Sequence, residues 1–391
     1  MNPRARSGLA LGVVGVVLSA LVTTFAASLP SASAATAQRG TTSLTAPIVQ
    51  PGRGVASANR ARLSGTVRFR PVRRGRHVLV QRRAGSGAWD TVARERENGA
   101  GKVWFTAAAH DSAGTPYTYR GVALRGGGLP RFAANQQSAD VWSLKFTDQF
   151  NESSFAADGK WTDRPSQSSS RKCAKAGDRR ARSISNGTLN LKVKLNPNRR
   201  GDVCRTAYGR FRYYLNGEVA TSVPNAFTRG TFAARIKFEK HRGQHGGFWM
   251  QPVHGQCLAG HPAKSGAEID VAEFFGKGYR DGGLGSFVYN YGIHCGQTKI
   301  GAVSRKATAM LPRHDSWWTR YHVLSLAWTK HSYIFRVDGR QHYRTSRGVS
   351  GIDEYLILSL LSSDWELAQA KKLGIKPGGT MHVDWARVWQ K

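Results

Sequence analysis

From about Trp142 to Lys391 one pattern recurs, apolar and polar residues alternating with a period of two. Leu189, Leu191, Val193 and Leu195 alternate with polar neighbours, as do Phe232, Ala234, Ile236 and Phe238. Alternate side chains of a strand share a face, so each run predicts a half-buried strand. Tyr333–Val337, then Asp338-Gly339, then Gln341–Arg344 predict strand, type I′ turn and strand. No long stretch carries a helical period. About 250 residues of this kind predict one all-β domain over 142–391, a large antiparallel sandwich or barrel.

Residues 41–131 also read as short strands. Ala61–Phe69, His77–Arg83, Trp89–Arg96, Val103–Ala107 and Tyr117–Val122 are rich in Val, Tyr, Trp and Phe, with Asn98-Gly99 among the turns between them. They predict a small β-sandwich that resembles the immunoglobulin-like modules of secreted bacterial enzymes, with spacing as its simplest role. Gly126-Gly127-Gly128-Leu129-Pro130 and the polar residues after it predict a linker over 132–141.

The first residues address the compartment. Arg4 and Arg6, an apolar run from about Gly8 to Phe25, and Ala32-Ser33-Ala34 form a secretory signal pattern, so 1–34 is expected to be removed and the mature chain to be extracellular, with no membrane anchor. Cys173, Cys204, Cys257 and Cys295 suggest two disulfides in an exported chain. Three connectivities are open; Cys173–Cys204 with Cys257–Cys295 is favoured, because each pair would staple loops flanking a predicted strand. The formal charge of +34, or +32 without Arg4 and Arg6, favours polyanions, with acidic wall polymers, anionic polysaccharides and extracellular DNA the candidates outside the cell. No recognisable nucleic-acid module collects the arginines, and a specific nucleic-acid partner is not expected. Arginines spread over solvated faces are the plainer account of the same charge.

Glu268-Ile269-Asp270-Val271-Ala272-Glu273 carries the chemistry. In a regular strand Glu268, Asp270 and Ala272 share a face, and Glu273 would turn into the core, where an unpaired carboxylate is costly. One extra residue, a β-bulge around Val271–Ala272, returns Glu273 to the acidic face and Phe274 to the core. Three carboxyls in a row then keep at least one proton near neutral pH. A retaining glycosidase needs such a pair, one carboxylate to attack the anomeric carbon and one carboxylic acid to protonate the leaving oxygen, about 5–5.5 Å apart. A solvated acidic face or a calcium site would show the same letters. However, calcium ligands usually come from loops, and an acidic cluster is unusual in so basic a chain.

Around this strand the sequence resembles glycoside hydrolase family 16, in order over 142–391. Phe146–Asn151 and Ser185–Leu191 look like its opening strands. Gly230–Lys237 and Gly247–Pro252 precede the acidic strand at the expected distance, and Tyr321–Trp328, Tyr355–Leu361 and Val383–Trp389 follow it. The resemblance implies a concanavalin A-like jelly-roll β-sandwich with the substrate cleft on one face. It implies Glu268 as nucleophile, Glu273 as general acid/base, and Asp270 between them to tune protonation. Trp249 and Trp365 match its sugar-contacting aromatics. The extra residue before Glu273 matches the bulged, laminarinase-like branch and implies β-1,3-glucan as first substrate. Where that branch shows Trp-Pro, this chain has His245-Gly246, a hydrogen-bonding ring in place of a stacking platform. The branch's histidine on the next strand falls near Val288, with His294 six residues on. Some members bind a structural calcium through the position of Asp384; no cofactor is required for the reaction.

The expectation is therefore a secreted, monomeric, endo-acting retaining hydrolase of extracellular β-glycan. The alternatives are a non-catalytic protein that binds wall or polyanionic glycan, and a transglycosylase on the same fold.

Overall fold

The computed structural model describes residues 37–152, 155, 159–166, 168–295 and 298–391; the signal sequence expected over 1–34 lies outside them. The described chain forms a single unit from Gln38 to Lys391.

The alternation becomes two packed layers. One runs Arg340–Thr345, Tyr333–Val337, His322–Trp328, Gly230–Lys237 and Gly379–Gln390, the last pairing further with Ser143–Asp148 and Leu189–Leu195. The other runs Thr298–Val303, Leu284–Asn290, Ala267–Phe274, His245–Pro252, Glu354–Leu361 and Tyr214–Thr221. Neighbours within these runs are antiparallel, and Tyr214–Thr221 also meets Leu189–Leu195, linking the layers. Apolar faces meet between them: Leu189, Leu191, Val193, Phe232, Ala234, Ile236 and Phe238 all enter one core with Phe248, Ile269, Trp328 and Leu358. Leu195 departs from its pattern and is exposed, because its strand ends there and the chain turns to solvent. Asp338 and Gly339 both have positive φ (46° and 78°), as the type I′ turn requires. The longest helix among the described residues, Asp364–Lys372, has nine residues, and none is long and apolar enough to cross a membrane.

Before this sandwich, Arg39–Leu44, Leu63–Arg70 and Lys102–Ala107 form a three-stranded sheet. It packs on a second sheet of Asp90–Arg96, His77–Ala84 and Tyr117–Ala123 around Val67, Phe69, Val80, Phe105 and Tyr119. Gly65 is needed there, since a Cβ would sit 2.0 Å from the Phe105 ring. The segment expected as a linker is folded: Phe132–Ala133 and Gln137–Ser138 both pair with Tyr117–Ala123, so polar composition there marks a sheet edge.

The two parts are joined by apolar contact and one arginine. Ala46, Ile48, Val49 and Ala58 pack on Ala233, Val323, Trp385 and Trp389. Arg235, on the outer face of Gly230–Lys237, donates to the carbonyls of Gln50 (2.9 Å) and Gly54 (2.8 Å). Both favoured disulfides are present, Cys173–Cys204 and Cys257–Cys295.

Candidate active site

The acidic strand is Ala267–Phe274, and its extra residue sits where side-chain direction required it. Against one neighbour, Phe248 faces Ala272 and Trp249 faces Asp270, so Val271 has no partner. Against the other, Asp270 faces Phe287 and Glu273 faces Gly285, so that two residues, Val271 and Ala272, stand against the single Ser286. Val271 and Ala272 both enter the core with Ile269 and Phe274. Glu268, Asp270 and Glu273 are thereby left on the opposite face. The bulged carbonyl of Val271 is satisfied by Ser286 Oγ at 2.8 Å.

Glu268 accepts a hydrogen bond from Gln251 Nε2 at 2.8 Å. Gln251 Oε1 accepts in turn from Arg164 Nη2 (2.5 Å) and Tyr355 Oη (3.2 Å). Arg164 also pairs with the buried Glu218 at 2.5 Å, which Ser166 Oγ supports at 2.8 Å. Gln251 is thus oriented so that its amide N–H groups face Glu268. At the other end of the row, His245 Nε2 lies 3.8 Å from Glu273, and its Nδ1 lies 2.9 Å from Glu366. Glu366 is held by the first turn of Asp364–Lys372, where it accepts from the Ser363 backbone N–H in a capping box.

Burial raises all three carboxyls above the usual carboxylate range. For Asp270 the rise is largest, with Glu273 and Glu268 adding repulsion. For Glu273, burial outweighs the opposing pull of His245. For Glu268, burial outweighs the Gln251 hydrogen bond and the Arg164 charge. His245 goes the other way from a normal buried imidazole: burial would lower it, but Glu366 and then Glu273 raise it. On the next strand Phe287 and Tyr289 flank the row, and Lys299 Nζ lies 4.2 Å from the Phe287 ring centroid.

Trp249 stands on the same face beside Asp270, its Nε1 donating to Ser359 Oγ at 3.0 Å. Trp365 is half-buried next to Glu366 at the start of the helix. His294 is exposed beside Cys295, and among the described residues no hydrogen bond or ion pair joins it to the row. Val288 points into the core, so the branch's histidine position has no counterpart on this face. Asp384 is buried against Arg235, which donates to it, and it also accepts from the Ala56 N–H. Arg235 thus occupies one side of this carboxylate, and among the described residues no group of three or more His, Cys, Asp or Glu is arranged so that it could hold a metal ion.

Gln251, Arg164, Glu218, Tyr355 and Glu366 have no role in the sequence reading. Two were within reach: Gln251 is two residues after Trp249 and so on its face, and Ser363-Asp364-Trp365-Glu366 has capping-box spacing. Arg164 lies just after the short strand Trp161–Asp163 and Glu218 in Tyr214–Thr221, both far along the chain from Gln251, and neither carries a local signal.

This arrangement can supply an oriented nucleophile at one end of a carboxyl row and a proton donor at the other. The family model described as Glycosyl hydrolases family 16 matches residues 173–387. No curated protein matches the chain. Similar solved structures include SCLam, a non-specific endo-β-1,3(4)-glucanase of family GH16, at 21% identity over 64% of this chain and 92% of its own, TM-score 0.46. The laminarinase catalytic domain from Thermotoga maritima MSB8 is similar at 16% identity over 64% and 98%, TM-score 0.45. The endo-β-1,3-glucanase from Pyrococcus furiosus is similar at 20% identity over 64% and 94%, TM-score 0.44.

Proposed function

The chain belongs to the glycosyl hydrolases of family 16, and from that premise we propose that it is a secreted, retaining endo-hydrolase of β-glycan, with a β-1,3-linked glucan as first substrate. The observation that carries the mechanism is the single bulge that turns Val271 and Ala272 together into the core and so sets Glu268, Asp270 and Glu273 in one row.

Glu268, ionised and held by Gln251, attacks the anomeric carbon; Glu273, protonated, gives its proton to the leaving oxygen. A covalent glycosyl-enzyme results. Glu273, now ionised, takes a proton from water, which opens the intermediate with retained configuration. Asp270 shares the negative field between them: protonated at rest, it is a neutral neighbour that lets Glu268 ionise. Trp249 and the half-buried Trp365 offer faces to sugar rings. Ser43, Thr66 and their neighbours in the first sheets belong to a small sandwich that we read as an immunoglobulin-like spacer.

Purified chain incubated with laminarin, lichenan, agar, carrageenan and xyloglucan, with reducing ends and product anomer followed, should release β-configured products from laminarin first. Inversion of configuration, or unchanged activity in Glu268→Gln, would overturn the assignment.

A further inference from the structure

On the layer that does not carry the acidic row, Tyr333–Val337 sends Tyr333, Phe335 and Val337 into the core and leaves Ile334 and Arg336 on its outer face. Arg336 is half-buried, and among the described residues no carboxylate pairs with it. Burial alone acts on it, lowering its pKa to about 10, which keeps it charged. A charged guanidinium at this depth, with no carboxylate beside it, is a cation that an anion from outside can pair with.

Two cavities meet at this residue. One, of about 550 Å³, lies between the first sheets and the hairpin, with Lys102, Arg340 and Trp104 on its walls. The other, of about 740 Å³, has Lys145, Arg229, Lys391 and Trp142. Ile334 and Arg336 line both, and neither has an Asp or Glu among its described lining residues. Trp104 stands on the wall of the first cavity and Trp142 on that of the second. Trp104 is 42% exposed, with its Nε1 tied to Ser64 Oγ at 2.7 Å and the Arg340 guanidinium 5.8 Å from its centroid. Trp142 has Lys391 Nζ at 4.8 Å, and its own buried Nε1 has no partner among the described residues.

Cations in a row read a repeated negative charge, and aromatic faces between them suit the C–H faces of sugars. We propose that these two cavities form one groove, a second glycan site that holds an anionic polysaccharide on the outer face of the layer remote from the acidic row, with the N-terminal sheets as one wall. The groove is independent of which bond the acidic row cleaves. It gives the N-terminal sheets a part in binding and the positive charge a local purpose. Sulfate esters and uronate carboxylates offer the same charge, and the groove takes either.

The test uses the full chain and three probes of one backbone: dextran sulfate, carboxymethyl dextran and neutral dextran, with a single-stranded oligonucleotide as the rival polyanion. Titration calorimetry should show binding of the anionic dextrans, falling steeply with salt, and none of neutral dextran. The two charged arms identify the preferred anion. The exposed-residue variant Lys102→Ala/Lys145→Ala/Arg340→Ala should weaken binding at least about tenfold and leave hydrolysis of neutral β-glycan unchanged. Arg336→Met should weaken it further, and the surface variant covers the case in which Arg336→Met does not fold. Trp104→Ala should weaken dextran sulfate and spare the oligonucleotide. Equal binding of neutral dextran, or full affinity in the surface variant, overturns the groove. An oligonucleotide bound more tightly than either dextran, and lost in the same variants, overturns the glycan and makes nucleic acid the occupant. Failure of hydrolysis on every glycan would strike the catalytic reading and leave these binding results standing.

Discussion

Asp270 and Asp384 are the same residue type at nearly the same depth, 3% and 1% exposed, on strands of the two opposed layers. Asp384 faces a buried guanidinium, an N–H of Ala56 and a chain segment that Arg235 also grips through the carbonyls of Gln50 and Gly54. Asp270 faces two more carboxyls. Burial raises both pKa values, but at Asp384 the guanidinium pulls back, whereas at Asp270 the neighbours push the same way as burial. One carboxylate is therefore neutralised by structure and fastens the N-terminal segment. The other has no cation of that kind beside it and is pushed toward its protonated form, and in the proposed mechanism that proton is one the reaction can use.

The largest effect that can break this contrast is on catalysis. Glu268→Gln removes the proposed nucleophile, and kcat on laminarin should fall by roughly 10⁴-fold or more. Melting temperature should hold or rise, because a repelling carboxyl is gone from the row. A variant that loses stability instead would mean that the row is structural in the manner of Asp384.

Next is the paired side. Arg235→Leu leaves Asp384 buried without its cation and should destabilise the chain by about 3–5 kcal/mol in urea unfolding. Removing both charges, Arg235→Leu/Asp384→Leu, should recover most of that loss. Calcium added to either variant should not restore stability, nor should a chelator lower the melting temperature of the parent. A calcium-dependent rise would show that Asp384 can be a metal ligand after all.

A third effect separates the two carboxylates by pH. The folded-state pKa of Asp270 lies above the unfolded value of about 3.9. The folded chain therefore holds that proton more tightly, and stability declines as pH rises from the unfolded value through the folded one. Asp270→Asn removes the dependence. The variant should be more stable than the parent at pH 7, and the two should converge below about pH 4, as followed by thermal melts across pH. Its kcat should fall, since the proton shared along the row is lost. A parent no less stable than the variant at pH 7 would show that Asp270 is already compensated.

Much of this contrast is legible in the sequence, and what is not has a physical reason. Alternation placed Phe232, Ala234 and Ile236 inside, and side-chain parity along 268–273 demanded the bulge, because both rest on local geometry. The partner of Asp384 was not legible: Arg235 lies 149 positions away, and charge alone does not say which arginine of many crosses the sheet. The same holds for Arg164, which orients Gln251 and is itself held by Glu218. Residues 132–141 misled for a different reason. A sheet edge is bathed in water on one side and shares the composition of a linker, although its backbone is paired.

The smallest effect is the sharpest test of the acid end. Burial lowers the pKa of His245 but Glu366 and Glu273 raise it, and the ring, 3.8 Å from Glu273, pulls the pKa of that acid down. Replacing it by a neutral side chain removes the lowering. In His245→Gln the basic limb of kcat/KM, which in the proposed mechanism reports loss of the Glu273 proton, should therefore move to higher pH, by a few tenths of a unit to about one unit. The acidic limb, set by Glu268 at the far end of the row, should move less, and kcat at the optimum should change less than about tenfold. The sign is what matters: a charge-neutral packing role for His245 would leave both limbs in place, and a basic limb displaced to lower pH would mean that the imidazole had been neutral and stabilising the protonated acid by hydrogen bonding. Only a cationic His245 held by Glu366 shifts the limb upward on removal, and that would make the helix Asp364–Lys372, through its first-turn glutamate, the element that sets the working pH of a strand it does not pair with.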